Sequence, residues 1–494
     1  MKKRSFVDRF VKPSINASDQ DLQRVTRQAI DALKESNSPP TLFLNGDSLV
    51  RLESGENGEP RLRKMTVDRM VNELAKRIDW RQTTRNVEVP AKPPRDVAQN
   101  VLATPDLPFP HLDQIVRCPV FAPDGGIQQE PGYCEATRTL YCPAPGLEIP
   151  LVSESPTGKE LAQAKRIIRT ELLGDFPFSG PADRAHALCA LLQPFVRPMI
   201  DGATPLYLIE KPSPGTGGTL LTDILAFPAL GTDPPKITMP GNEGELKRML
   251  FSALRDAPTV LALDNLPETE IKSPSLSSAI TSTECADRVV GTSDTLRLPI
   301  RCLWIANGNN PNLARDLARR CVFIRIDAAQ EAPDQRTGFL HPDLKGWARK
   351  NRGDLIWAAL TICQAWVAEG MPAGKGTLGM FESWAETMSG ILDVAGIPGF
   401  LENLHERRAE ADYGTEDLTL LVEGWFRKFR DRRVCATQLL PCAEHLDLGS
   451  EEQSRRICLG QLLSRNRDKK LDKLFIRRGR SRNGSHTWYL EKDL

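Results

Sequence analysis

The sequence reads as an α/β protein of several domains. Residues 205–223 form a buried-type strand, a glycine turn and a helix start. Short apolar runs near 205–210, 236–239, 258–263, 302–306 and 321–325 have the length and aliphatic content of strands covered on both faces, which suits a mostly parallel sheet. From residue 461 onward there are ten Lys and Arg against four Asp and Glu, a local charge of +6 in a chain whose net charge is +1. That asymmetry points to contact with a polyanion.

A length of 494 residues predicts about three or four domains. With 26% charged and 40% hydrophobic residues a water-soluble protein with ample core is expected. No apolar run approaches the roughly 20 residues of a membrane span. The start, Met1 to Phe6, is basic without the apolar stretch of a secretion signal. The eleven cysteines are scattered, which suits reduced thiols and a cytoplasmic protein. His111, Cys118, Cys134 and Cys142 come nearest to a metal constellation, but their spacing lacks a C-x₂-C pair.

Along the chain, residues 1–150 form the first region: an amphipathic stretch at Asp19–Lys34, a polar break at Ser36–Pro40, a strand at Thr41–Asp47 and a helix over Thr66–Ile78. Prolines at 90–94 and 105–110 read as extended linkers. No chemistry is legible there; an adaptor, a collar for DNA entry and a structural cap all fit. Residues 151–330 carry the sheet, with helices at Ala182–Arg197 and Glu243–Arg255, and a hairpin pattern between Val289 and Leu298. Residues 331–410 are helical, with Trp347, Trp357, Trp366 and Trp384 spaced as core anchors. In 411–494, helices at Leu418–Phe429, Ala436–His445 and Glu452–Arg465 precede two β-type runs, Leu474–Arg478 and His486–Leu490, joined through Asn483-Gly484, a strong hairpin signal.

The candidate chemistry starts in the glycine turn. Against G-x-x-x-x-G-K-[ST], the first Gly is Pro212, the second is Gly217, the Lys position holds Gly218 and the hydroxyl is Thr219. The segment Pro214-Gly215-Thr216-Gly217 still permits a tight turn whose N–H groups converge on an anion, and the helix that follows aims its positive end there. Thr219 is placed to ligate Mg²⁺. The missing charge would cost roughly 10²–10³-fold in rate if nothing replaced it, by analogy with deleting a preorganised electrostatic donor. Replacements are Lys211, just upstream, or an arginine from elsewhere. An ordinary strand-to-helix loop is the plain alternative.

Asp264 ends the run Thr259–Leu263 and is placed to organise a metal at a strand's carboxyl end, with Asn265 beside it. Asn307 and Asn309 stand at the end of the next run, where a γ-phosphate would be sensed. Arg319 and Arg320 precede the last strand, either as a solvated helix end or as arginines reaching a neighbouring subunit's phosphate.

The order of these pieces resembles the AAA+ ATPase module of phage, plasmid and mobile-element primase-helicases, related to superfamily 3 and MCM-like replicative helicases. Asp287–Ser293 with Leu298-Pro299 resembles the segment before the family's sensor strand, and Phe381–Trp384 with Met388–Leu401 resembles its helical segment after it. The resemblance implies an AAA+ P-loop core, a helical lid and a winged-helix C-terminal domain. It implies ATP and Mg²⁺ as cofactors, a head-to-tail ring of six, and single-stranded or forked DNA as partner. Asn265 then takes the place of a water-polarising glutamate, and a channel hairpin would bring Arg297 or Arg301 to the strand. Arg455 and Arg456 would enter the major groove, with Arg477, Arg478, Arg480 and Arg482 on the wing's phosphates. No primase is legible in 1–150, so a separate primase or polymerase is implied. Gly218 departs from the family pattern and opens a second reading, a non-catalytic DNA-binding replication initiator or clamp. A metabolic kinase would leave the paired arginines and basic end without a role.

Overall fold

The computed structural model describes residues 12–492 apart from 56–58, 86, 289–294, 331–332, 405–414, 447, 450, 472 and 481–485. At its centre lie five strands, β1 (Leu206–Lys211), β2 (Lys236–Thr238), β3 (Val260–Leu266), β4 (Leu303–Asn309) and β5 (Cys321–Arg325), in the order β2-β3-β4-β1-β5. Every neighbouring pair is parallel. β1 and β5 are buried along their whole length, as expected of strands covered on both faces.

The helices that matter most are α1 (Pro181–Val196), α2 (Gly218–Leu230), α3 (Glu243–Leu254), α4 (Arg352–Ala368) and α5 (Glu382–Val394). α1 opens on Pro181, whose missing N–H costs nothing in a first turn. α2 stops at Gly231, whose φ of +75° closes the helix through a bond to Phe227 O. α3 is capped by Asn242, which accepts from Glu245 N.

From β1 the chain runs through α2 to the far edge at β2, returns through β3 and β4, and crosses β1 to reach β5. The order therefore reverses at β1, and an open parallel sheet has its natural crevice outside the carboxyl ends of the strands at such a point.

One hydrophobic core extends from Val116 to Leu404 and includes α4 and α5. Trp384 is fully buried behind β1, where its Nε1 donates to Gln193 Oε1 (2.9 Å) and the Tyr207 hydroxyl (3.1 Å). Trp357 and Trp366 are also buried, and Trp347 stacks on His341. A separate cluster, from Ile15 to Phe109, packs three helices on one mixed and one antiparallel three-stranded sheet, while the main core begins at Val116. Val116, Val120, Phe121 and Tyr141, from the expected 1–150 region, turn inward and pack against the main core.

The expected hairpin at 289–298 is an antiparallel pair that begins earlier, Glu284–Arg288 with Thr295–Pro299; residues 289–294 lie outside the described set. The C-terminal module has its own core around Trp425 and Trp488. Its helices are Thr415–Phe429, Ala436–Leu439 and Glu452–Arg465, beside a four-stranded antiparallel sheet. The second helix ends short of His445: Pro441 lacks the N–H to continue it, and Leu440–Cys442 tightens into a 3₁₀ turn. Among the described residues no helix is long and apolar enough to cross a membrane, and no three His, Cys, Asp or Glu side chains group as a metal site.

Candidate nucleotide site

The turn from β1 to α2 lies in this crevice. Gly215 has φ +80° and Gly217 φ +99°, a region that side chains with a Cβ rarely enter. Thr216 braces the turn by donating Oγ1 to Ser213 O (2.8 Å). Its walls are close: a Cβ on Gly215 would sit 3.0 Å from that of Asp334, and one on Gly217 would sit 3.7 Å from the Phe176 ring. Pro214 and Gly215 are exposed at the mouth. The first N–H groups of the 13-residue α2 point at the same place, so the turn and the helix form one anion cradle.

Beneath it, side chains from α2, β3 and β4 meet on one carboxylate. Thr219 Oγ1 donates to Asp264 Oδ1 at 3.2 Å, and Asn307 Nδ2 donates to the same oxygen at 2.7 Å. Asn307 is fully buried; its Nδ2 also reaches Thr222 Oγ1 (3.2 Å), and its Oδ1 accepts from Asn265 N (3.4 Å). Asp264 Oδ2 accepts no hydrogen bond from the described residues. A hydroxyl and an oriented carboxylate with one oxygen available form a hard, all-oxygen donor pair that fits Mg²⁺. β3 changes register between Leu263 and Leu266, and this irregularity turns Asn265 outward with φ +58°, a conformation Asn tolerates.

The expected sensors divide. Asn307 is committed to holding Asp264, whereas Asn309, opposite Lys211 in the β1–β4 register, has a buried Oδ1 without a partner among the described residues. Asn310 was not singled out from the sequence. With φ +38°, it donates Nδ2 to Pro212 O and Arg467 O, both at 3.2 Å, and its own N–H donates to Lys211 O. The run Asn307-Gly308-Asn309-Asn310 signalled polar strand-end chemistry, but which amide faced the turn depended on the register.

Lys211 ends β1 with 8% of its surface exposed. Its Cδ, Cε and Nζ lie 3.0, 3.2 and 3.5 Å from where Gly218 would carry a Cβ. The ammonium makes no hydrogen bond or ion pair with the described residues. Burial lowers its pKa below the ordinary lysine value, and the Asp264 charge partly opposes this.

Arg319 and Arg320 stand at the other end of the sheet. Arg320 O accepts from Leu206 N at the start of β1, and both guanidiniums pair with Asp316; the Arg320 hydrogen bond is the largest cause lowering the Asp316 pKa. They are not brought to this chain's own turn.

The expected DNA contacts also separate by environment. Arg297 is exposed, and its N–H donates to Asp47 Oδ1 (3.4 Å) on the N-terminal module, whereas Arg301 lies 3.6 Å from Asp113. Arg455 is half-buried and Arg456 exposed on the third C-terminal helix. Arg477 is held by Asp468 (2.7 Å) and Glu491, over the Phe475 ring. Arg478 donates to the His486 ring (2.9 Å); Arg480 is exposed. Arg482 lies outside the described residues. The same module meets the crevice through buried Arg467, which pairs with Asp327 (2.8 Å) just past β5.

No known protein family matches the chain, and no curated protein matches it by sequence. Among solved structures it is similar to the A-form apo C-terminal region of NrS-1, at 13% identity over 91% of this chain and 95% of that one, TM-score 0.33. It is also similar to the SCCmec type IV Cch active helicase, at 11% identity over 92% and 93%, TM-score 0.31. For the JCV helicase the values are 11%, 52% and 65%, and 0.25.

Proposed function

We propose that this chain is an ATP-dependent DNA helicase or translocase of the AAA+ kind, acting in replication of a phage or mobile element. One observation carries the reading: Thr219, Asp264 and Asn307 converge beneath a left-handed two-glycine turn at the point where strand order reverses. In this reading 151–330 is the ATPase core, 331–410 its lid and 411–494 a winged-helix DNA-binding domain. The N–H groups of the turn and α2 hold the phosphates. Thr219 and Asp264 would hold Mg²⁺, which when bound would supply charge neutralisation for the phosphates. Asn307 keeps Asp264 oriented, Asn309 faces the terminal phosphate, and Asn265 orients water; an amide cannot take its proton.

Arg319 and Arg320 lie a strand's length from their own chain's turn, so they act on a neighbour's site. Such head-to-tail contacts close into rings, and six members are expected. Arg297 on the hairpin and Arg455, Arg456, Arg478 and Arg480 on the C-terminal module contact single-stranded or forked DNA, with priming left to a separate protein.

A second reading is favoured by Gly218 and Asn265, which stand where a motor of this kind would hold a lysine and a glutamate: a DNA-binding initiator or clamp that does not turn over ATP. Steady-state ATP hydrolysis with and without single-stranded DNA separates the two. The motor reading expects DNA-stimulated turnover that Asp264→Ala lowers about 10²–10³-fold. DNA binding without turnover in the parent would favour the clamp.

A further inference from the structure

We propose that Lys211 supplies the cation missing from position 218, delivering an ammonium from the end of β1 to the β- and γ-phosphates. The inference rests on the nucleotide reading above and assigns the group that meets the terminal phosphates.

Space is the first argument. The Lys211 stem lies 3.0–3.5 Å from the Cβ position of Gly218, so its side chain occupies the room a residue-218 side chain would need. Glycine at 218 leaves this room to the Lys211 stem without crowding, and the departure from the usual pattern becomes an exchange of origin for the same charge.

Energy is the second argument. A buried ammonium without a hydrogen bond or ion pair is costly, and lysine is tolerated in such a place when an anion completes it. Lys211 is 8% exposed, and its only described electrostatic companion is Asp264. Arginines of the same chain are engaged elsewhere: Arg319 and Arg320 on Asp316 at the opposite end of the strands, and Arg467 on Asp327.

The test measures Mg-ATP and Mg-AMP dissociation constants by calorimetry, with melting temperature, for the parent, Lys211→Met, Gly218→Lys and the double variant. Because a lysine that reads β- and γ-phosphates acts only on nucleotides that have them, Lys211→Met should weaken ATP by about 10²-fold and leave AMP unchanged. It should also melt at or above the parent's temperature without nucleotide, since it removes an unpaired buried charge; a merely structural lysine would lower melting and weaken both nucleotides alike. Gly218→Lys alone should not strengthen ATP binding, because its Cβ meets the Lys211 stem. The double variant should recover at least tenfold of the loss.

Equal ATP affinity in the parent and Lys211→Met would overturn this inference while leaving the nucleotide reading intact. Lack of Mg-ATP binding by the parent would remove both. Should Lys211→Met fail to fold, Lys211→Gln is judged by the same ATP-to-AMP ratio.

Discussion

Lys211 and Asn309 sit in the crevice with polar capacity that no described neighbour satisfies, while in the C-terminal module Arg477 and Arg467 are already answered by Asp468, Glu491 and Asp327. The first region holds few charges and the second many, yet the sparse one points more sharply to a ligand. An unsatisfied group inside a protein costs free energy that a bound anion can offset, whereas exposed ion pairs and solvated arginines cost little and specify little. The net +6 counted along the C-terminal sequence already subtracts Asp468 and Glu491, but it does not say which arginines are left open to DNA once Arg477 and Arg467 are held by acids.

The contrast can be broken most directly at Asp264. Asp264→Asn should lower ATP turnover about 10²–10³-fold with DNA affinity unchanged; an equal fall in DNA binding would mean the two regions are not separable. Asn307→Ala comes next. It leaves Asp264 without its 2.7 Å donor and Thr222 with only its own donation to Gly218 O, so chemical denaturation should show a loss of about 1–3 kcal/mol and a raised Mg²⁺ requirement.

A smaller effect separates the arginines of the C-terminal module. The slope of log affinity for DNA against log salt should fall by about one for Arg480→Ala and stay unchanged for Arg477→Ala, whose charge is neutralised by its neighbours. Matching slopes would mean that the acids beside Arg477 do not shield it from DNA.

The smallest effect is in pH. Burial lowers the Lys211 pKa from its ordinary 10.5, so below that value the unfolded chain holds the proton more readily than the folded one. The stabilising contribution is therefore complete above pH 10.5 and is lost as pH falls through the depressed value. Denaturation midpoints compared across alkaline pH should show this dependence in the parent and its absence in Lys211→Met.

Much of the frame was legible from residue order. The five strands lie where the apolar runs put them, and the turn at 212–217 was readable because glycines at 215 and 217 permit a backbone that other residues avoid. The C-terminal hairpin followed from two β-type runs around Asn483-Gly484, although the second helix stopped early at Pro441. These features come from local chemistry, meaning hydrophobic run length, allowed φ and a missing N–H, all contained in a few neighbouring residues.

Which side chains meet could not be read that way. Asn307 and Asn309 are two residues apart on one strand, and the β1–β4 register and the fold of β3 gave one to Asp264 and left the other without a described partner. Arg319 and Arg320 read as a solvated helix end or as ligands of a neighbour's phosphate, and the parallel strands set them at the end of the sheet opposite their own chain's turn. Lys211 was one candidate beside an arginine from elsewhere, and only the packing of its stem within 3.0–3.5 Å of the Gly218 Cβ position set it against the turn. Such meetings join residues up to hundreds of positions apart, as with Arg467 and Asn310, and they follow from layer packing and strand order, which no short stretch of chain encodes.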